Sequence, residues 1–308
     1  MPLCPVCSLT GAKLGARCQC DDAYLVSDNF RRDPANYIGQ LVAGKYVPID
    51  TLYFDERLTH YEALQKPMDR RAQLYLLAPQ YAKNNDVVQR LTQCAARLAA
   101  INHPSLLAVY ESFNDQNFTG VSIEDTRSYR LSKEAPFNGI DEVSLMHIIH
   151  QILQAMAQLH HNKLLLPHIS PENVLILRTS DDPYSVKVTG VINAYLHDSV
   201  LNANPASDVF ELGKMLLYLI TGSTRPNAPL PPYRARIASI MPLILRATRN
   251  DEQRYSSAIE FLHDFENLLE LNKSPHPRPS LQTPVSSQRP KSIRETETID
   301  VVWMHKGS

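Results

Sequence analysis

The spacing of apolar residues changes character once along this chain, and that change limits the fold more than any other feature. From "GKYVPIDTLYF" to "RRAQLYLLAP", residues 44 to 79, short apolar runs are broken by charges and prolines. That is the pattern of two or three antiparallel strands. Residues 84 to 101 place Val88, Leu91, Ala95, Leu98 and Ile101 at helical spacing, with Asn84 or Asn85 as N-cap. "PSLLAVYESF" and "FTGVSIE" read as further strands, and from "DEVSLMHIIHQILQAMAQLHHNK" onward the signal is mostly helical. A strand-rich lobe carrying one helix therefore precedes a helix-rich lobe, an α+β arrangement of segregated elements.

The chain has 308 residues, enough for a sizeable core, with 44% hydrophobic and 20% charged residues and a net charge of −1. Lys+Arg (31) and Asp+Glu (32) nearly cancel, so no field draws in nucleic acid. No apolar run approaches the ~20 residues of a membrane helix. The opening "MPLCPVCSLT" lacks the basic and apolar regions of a signal peptide. A cytoplasmic protein without membrane or nucleic-acid partners is expected.

Four of the five cysteines fall in the first 20 residues, as Cys4, Cys7, Cys18 and Cys20. Thiolates are soft anionic ligands for tetrahedral zinc, and two close pairs joined by a short return suit one ion. Two local disulfides are the competing reading, which a reducing cytosol disfavours. Four thiolates would leave no open position, so a Zn²⁺ held there is structural. Residues 1–22 thus form a zinc clip, 23–43 a polar connector, 44–271 the main domain and 272–308 a linker and tail. Residues 273 to 292 carry five prolines and five serines, a linker composition.

Four segments in order resemble eukaryotic-type Ser/Thr protein kinases of the bacterial kind. "INHPSLLAVYESF" is similar to the segment after the small lobe's helix, and "AMAQLHHNKLLLPHISPENVLIL" to the long helix and catalytic loop. "ASDVFELGKMLLYLITG" resembles the helix that braces that loop, and "RNDEQRYSSAIEFLHDFENLL" the final Arg-Tyr segment and helix. The resemblance covers about 44 to 271 and implies a bilobal kinase-like fold. It also implies that Asp208 and Gly213 are structural, the aspartate accepting hydrogen bonds from backbone amides of the loop.

Set against that family, the parts of a phosphotransfer site are changed. No glycine lies between Gly44 and Gly120, so the first two strands lack a phosphate loop, and Asp55 and Glu56 sit where it would be. Tyr75 or a neighbour, none of them cationic, falls at the lysine position, Cys94 at the helix glutamate, His168 at the proton acceptor and Gly190 at the chief magnesium ligand. Asn173 alone keeps its residual ligand type. ATP and Mg²⁺ are accordingly not expected as cofactors. The expectation is a pseudokinase, a non-enzymatic signalling scaffold acting through protein partners. The alternatives are an atypical Ser/Thr kinase using His168 and Asn173, and a protein that binds nucleotide without metal.

In the tail, Thr296 and Thr298 each precede an apolar residue by three positions, Ile299 and Val301. Phosphothreonine in that setting resembles ligands of forkhead-associated domains, so such a domain is an expected partner. The competing reading docks residues 299–304 on the chain's own surface.

Overall fold

A computed structural model describes residues 1–32, 34–115, 117–125, 129–130, 140–177, 184–196 and 198–273. The anticipated tail sites Thr296 and Thr298 lie outside them. Strands β1 (Tyr46–Phe54), β2 (Leu58–Gln65), β3 (Arg70–Leu77), β4 (Val109–Asn114) and β5 (Thr119–Glu124) form an antiparallel sheet in the order β1-β2-β3-β5-β4. After the single turn α1 (Pro79–Ala82), helix α2 (Asn85–Ala99) packs on this sheet. Asn84 is its N-cap, accepting from the amides of Asp86 and Val87 and so satisfying two donors that have no partner within the helix. Its buried face is Val87, Leu91, Cys94, Ala95 and Leu98. The helix is turned slightly from the expected stripe, and Val87 takes the place foreseen for Val88.

The second lobe is built on α3 (Glu142–His161), capped by Asp141, whose carboxylate accepts from the amides of Val143 and Ser144. Leu145, Ile148, Ile149, Ile152, Leu153, Met156 and Leu159 repeat at three- and four-residue steps and are buried. A small sheet of β6 (Tyr129–Arg130), β7 (Val174–Leu177) and β8 (Ser185–Val188) lies beside it. Helices α4 (Val191–Leu196), α5 (Pro205–Thr221), α6 (Met241–Ala247) and α7 (Ala258–Lys273) complete the lobe. Gly213 permits α5 to close on α6, because a Cβ there would meet the Ala247 Cβ at 2.9 Å and the Thr248 Cγ2 at 3.0 Å. One apolar cluster runs unbroken from Leu58, Tyr75 and Leu91 of the first lobe to Leu212 and Phe261 of the second. Lys187 of β8 reinforces the junction, reaching the Glu124 carboxylate at 2.7 Å and the Leu106 carbonyl at 3.0 Å.

The N-terminal segment packs on the outer face of the sheet. Val26, Ile38 and Val42 share a core with Tyr46, Ile49, Tyr61 and Leu74. Leu3 bridges Val26, and Lys13 and Lys66 both pair with Asp69 in the β2–β3 turn.

Candidate functional site

The two lobes meet around the C-terminal ends of β3 and β8, where Tyr75 and Gly190 line one small cavity and Asn173 packs on Gly190. On the β-sheet side, Tyr75 is buried and directly opposite His60 in the β2–β3 register. The two rings stack at 4.0 Å with 10° between planes, and the His60 Nε2 lies 3.1 Å from the Gln73 Oε1. Cys94 faces the same junction from α2 and is fully buried, which pushes its thiol up to about 12. It fills space as a small apolar side chain. A cavity of about 20 Å³ remains between Tyr75, Leu98, Leu106, Gly190 and Ile192. That admits about one water, against the ~300–1,000 Å³ of a small-molecule site.

The turn between β1 and β2 reaches across the mouth of the cleft between the lobes to α4. The Asp55 carboxylate accepts from the amides of Arg57 (2.7 Å) and Leu58 (2.9 Å), a side-chain-capped turn. Backbone donors that a glycine loop would turn toward phosphate are thereby occupied. Sequence reasoning took Asp55 as a source of repulsion and missed that it builds the turn. It also missed Arg57, whose guanidinium spans the mouth to donate to the Leu196 carbonyl of α4 at 2.6 Å and lies over the Tyr81 ring.

Below the mouth runs the loop 164–173. The buried Asp208 of α5 holds it, its Oδ2 accepting from the Leu166 amide at 2.6 Å and facing the His160 Nε2 at 3.3 Å. Because the His160 Nδ1 accepts from the Ala258 amide at 3.0 Å, Nε2 carries the proton and donates to the carboxylate. Three helices and the loop are thus pinned by one buried pair. His168 is exposed and sits at φ +64°, a left-handed conformation uncommon for a non-glycine residue. Asn173 ends a 3₁₀ turn, Pro171–Asn173. Its Oδ1 accepts from the Ser170 amide and hydroxyl, both at 3.1 Å.

Gly190 begins α4 at φ +90°, and a Cβ there would stand 2.5 Å from the Asn173 Nδ2. The Asn173 amide therefore occupies the room a side chain at 190 would need. With no carboxylate at 168 or 190, and with Asn173 turned to Ser170, these residues do not fit the family's pair of magnesium ions.

A second cluster lies in the N-terminal segment. The ligand atoms of Cys4, Cys7, Cys18 and Asp21 all fall within 4.8 Å of one another. Cys20, expected as the fourth ligand, stands outside and is exposed. The cause is local: the Cys20 amide donates to the Cys18 Sγ at 3.4 Å, which turns the chain so that Asp21 points inward instead. All five cysteines are free thiols, so the disulfide reading does not hold here.

No protein-family model matches the chain. It is 26% identical over 277 residues to the Ser/Thr protein kinase PknL of Mycobacterium tuberculosis, covering 74% of this chain and 69% of that protein. It is 23% identical over 208 residues to the Ser/Thr protein kinase PrkC of Bacillus subtilis, covering 60% of this chain but only 32% of PrkC, so it spans about a third of that relative. Among solved structures, the PknI kinase domain of M. tuberculosis superposes with a TM-score of 0.57 at 15% identity, covering 75% of this chain and 99% of that domain. The fold is the bilobal protein-kinase fold. Among the described residues no helix is long and apolar enough to cross a membrane. The relatives overturn one expectation: PknL, PrkC and PknA are all named as Ser/Thr protein kinases, so the reading of this chain as no enzyme is corrected. Its physical basis was the loss of family side chains one by one.

Proposed function

We propose that the chain is an atypical Ser/Thr protein kinase in which Arg57 supplies the phosphate contact and His168 accepts the hydroxyl proton. The observation that carries this reading is the span of Arg57 from the β1–β2 turn to the Leu196 carbonyl, which puts a fixed cation over the junction between the lobes. In the resting form that cation holds the mouth shut. An incoming nucleotide phosphate would compete with the Leu196 carbonyl and with the Glu56 carboxylate, 3.7 Å from the Arg57 Nε, by offering the guanidinium two charge-assisted hydrogen bonds. Exchange of Leu196 for phosphate would release the turn from α4 and open the site.

His168 projects from a loop that Asp208 fixes from beneath. An imidazole can take a proton near neutral pH. As a serine or threonine oxygen bonds to the γ-phosphorus, the bond to the departing diphosphate breaks and the hydroxyl proton passes to His168. The kinase names of the relatives support the same reaction class.

Two variants of the full chain test the reading, with ATP binding and transfer of labelled γ-phosphate to a general protein acceptor measured separately. Arg57→Ala is expected to weaken binding by about 10- to 100-fold, the loss of one charge-assisted contact. His168→Ala is expected to leave binding intact and lower transfer by about 10²- to 10⁴-fold. Binding without transfer in the unaltered chain, or transfer indifferent to both substitutions, would overturn the proposal.

A further inference from the structure

The geometry points to a zinc ion held by the thiolates of Cys4, Cys7 and Cys18 and one carboxylate oxygen of Asp21, with Cys20 left free. Around tetrahedral zinc, bonds of ~2.3 Å to sulfur and ~2.0 Å to oxygen place neighbouring sulfurs about 3.8 Å apart and sulfur and oxygen about 3.5 Å apart. The Cys7 and Cys18 sulfurs are 3.5 Å apart, and the Cys4 Sγ lies 3.3 and 3.4 Å from the two Asp21 oxygens. Two of the six donor pairs thus stand near the separations one central ion imposes, and all six lie within 4.8 Å.

Backbone amides are aimed at two of the sulfurs. The amides of Val6 and Cys7 both donate to the Cys4 Sγ at 3.4 Å, and the Cys20 amide donates to the Cys18 Sγ at 3.4 Å. Such donors stabilise sulfur carrying negative charge and orient it, as outer partners do at metal centres. Asp21 is oriented as well, its Oδ1 accepting from the Ala23 amide at 2.9 Å. Three sulfurs and a carboxylate packed this closely repel one another when ionised, and a divalent cation among them removes that cost. Soft sulfur in a tetrahedral set selects zinc over magnesium or calcium.

The ion would brace the first lobe. The clip rests on the β2–β3 turn through the bond from the Lys66 Nζ to the Gly15 carbonyl, and through Lys13 and Lys66 on Asp69. It joins the sheet core through the Leu3 to Val26 bridge.

The test uses the full chain reconstituted with Zn²⁺. Metal content by mass spectrometry is expected to be one zinc per chain, and X-ray absorption is expected to give three sulfurs and one lighter ligand. Cys20→Ser should keep the zinc, Cys7→Ser should lose it, and Asp21→Ala should surrender it to a chromophoric chelator that the unaltered chain resists. Circular dichroism of each variant separates a lost ligand from a lost fold, and Cys20→Ser, altered at an exposed side chain, stays informative if the others unfold. A four-sulfur shell, zinc lost with Cys20→Ser and kept with Asp21→Ala, or no zinc after reconstitution would overturn the assignment.

Discussion

Replacing Gly190 by alanine tests whether the glycine is a conformational requirement or merely a missing ligand. At φ +90° an L residue carries a penalty of about 1–2 kcal/mol. The new Cβ would lie 2.5 Å from the Asn173 Nδ2 and 3.3 Å from its Cγ. The end of an asparagine usually yields cheaply, but this one is tied by its Oδ1 to the Ser170 amide and hydroxyl. Swinging it away forfeits two hydrogen bonds at about 1 kcal/mol each. Gly190→Ala is therefore expected to cost about 3–4 kcal/mol, read as a shift in the urea midpoint at unchanged slope. In an Asn173→Ala background the collision is gone and only the backbone penalty remains, so the same change should cost about 1–2 kcal/mol. The difference is the coupling a double-mutant cycle isolates. A cost below about 0.5 kcal/mol, or the same cost in both backgrounds, would refute the reasoning.

Other perturbations have equally definite outcomes. Asp208→Ala leaves the Leu166 amide and the His160 Nε2 buried without their shared acceptor and should cost about 3–5 kcal/mol in urea unfolding; a loss under about 1 kcal/mol would mean the loop is held otherwise. The Cys94 thiol, pushed up to about 12 by burial, should resist alkylation at pH 8 in the folded chain and react only on unfolding, whereas the exposed Cys20 reacts at once; mass mapping of modified cysteines decides. Burial opposes ionisation of Glu111, but its bonds to Lys45 at 2.5 Å and to the Tyr46 hydroxyl outweigh this and hold its pKa down. A depressed folded pKa adds stability that is present above the unfolded value of about 4.3 and lost as pH falls through the folded one. Glu111→Gln should accordingly lower stability at pH 7 and flatten the decline below about pH 4, a change visible in urea midpoints taken across pH.

The order of strands and helices was legible because each is set by local spacing and caps, as with Asn84 ahead of α2 and the repeating apolar face of α3. The two-lobe architecture followed from that order and from four motifs in sequence. The site was legible as a set of positions and not as a set of contacts. Tyr75 and Gly190 line one small cavity, with Asn173 against Gly190 and Cys94 in the same apolar cluster, yet nothing near Tyr75 in sequence announces His60, fifteen residues earlier. Only the β2–β3 register places them opposite, and a cross-strand aromatic pair is the signal that could have revealed it. Arg57 was hidden for a similar reason: its partner Leu196 is 139 residues away. Cys20 lies outside the cluster that Asp21 joins, because spacing counts residues and not directions. The turn after Cys18 decides which of two adjacent side chains faces inward.

Three of the altered positions in the cleft have been taken up by a neighbour, so these changes form a packed arrangement. The His60 ring covers Tyr75, the Asn173 amide fills the space at Gly190, and the Asp55 carboxylate binds the amides of the missing glycine loop. Restoring one family residue alone should then destabilise and not restore. Tyr75→Lys would put an ammonium at a site only 3% exposed, with Cys94 where a glutamate would neutralise it. An unpaired buried charge of this kind costs several kcal/mol, or sheds its proton. Adding Cys94→Glu supplies the partner yet leaves the His60 ring where the lysine stem must lie. The altered residues and their neighbours hold one another in place. A route back to the family's chemistry would have to move His60, Tyr75, Cys94, Asn173 and Gly190 together, and for that reason a phosphoryl transfer carried by Arg57 and His168 is better sought in this chain as it stands than in its partial revertants.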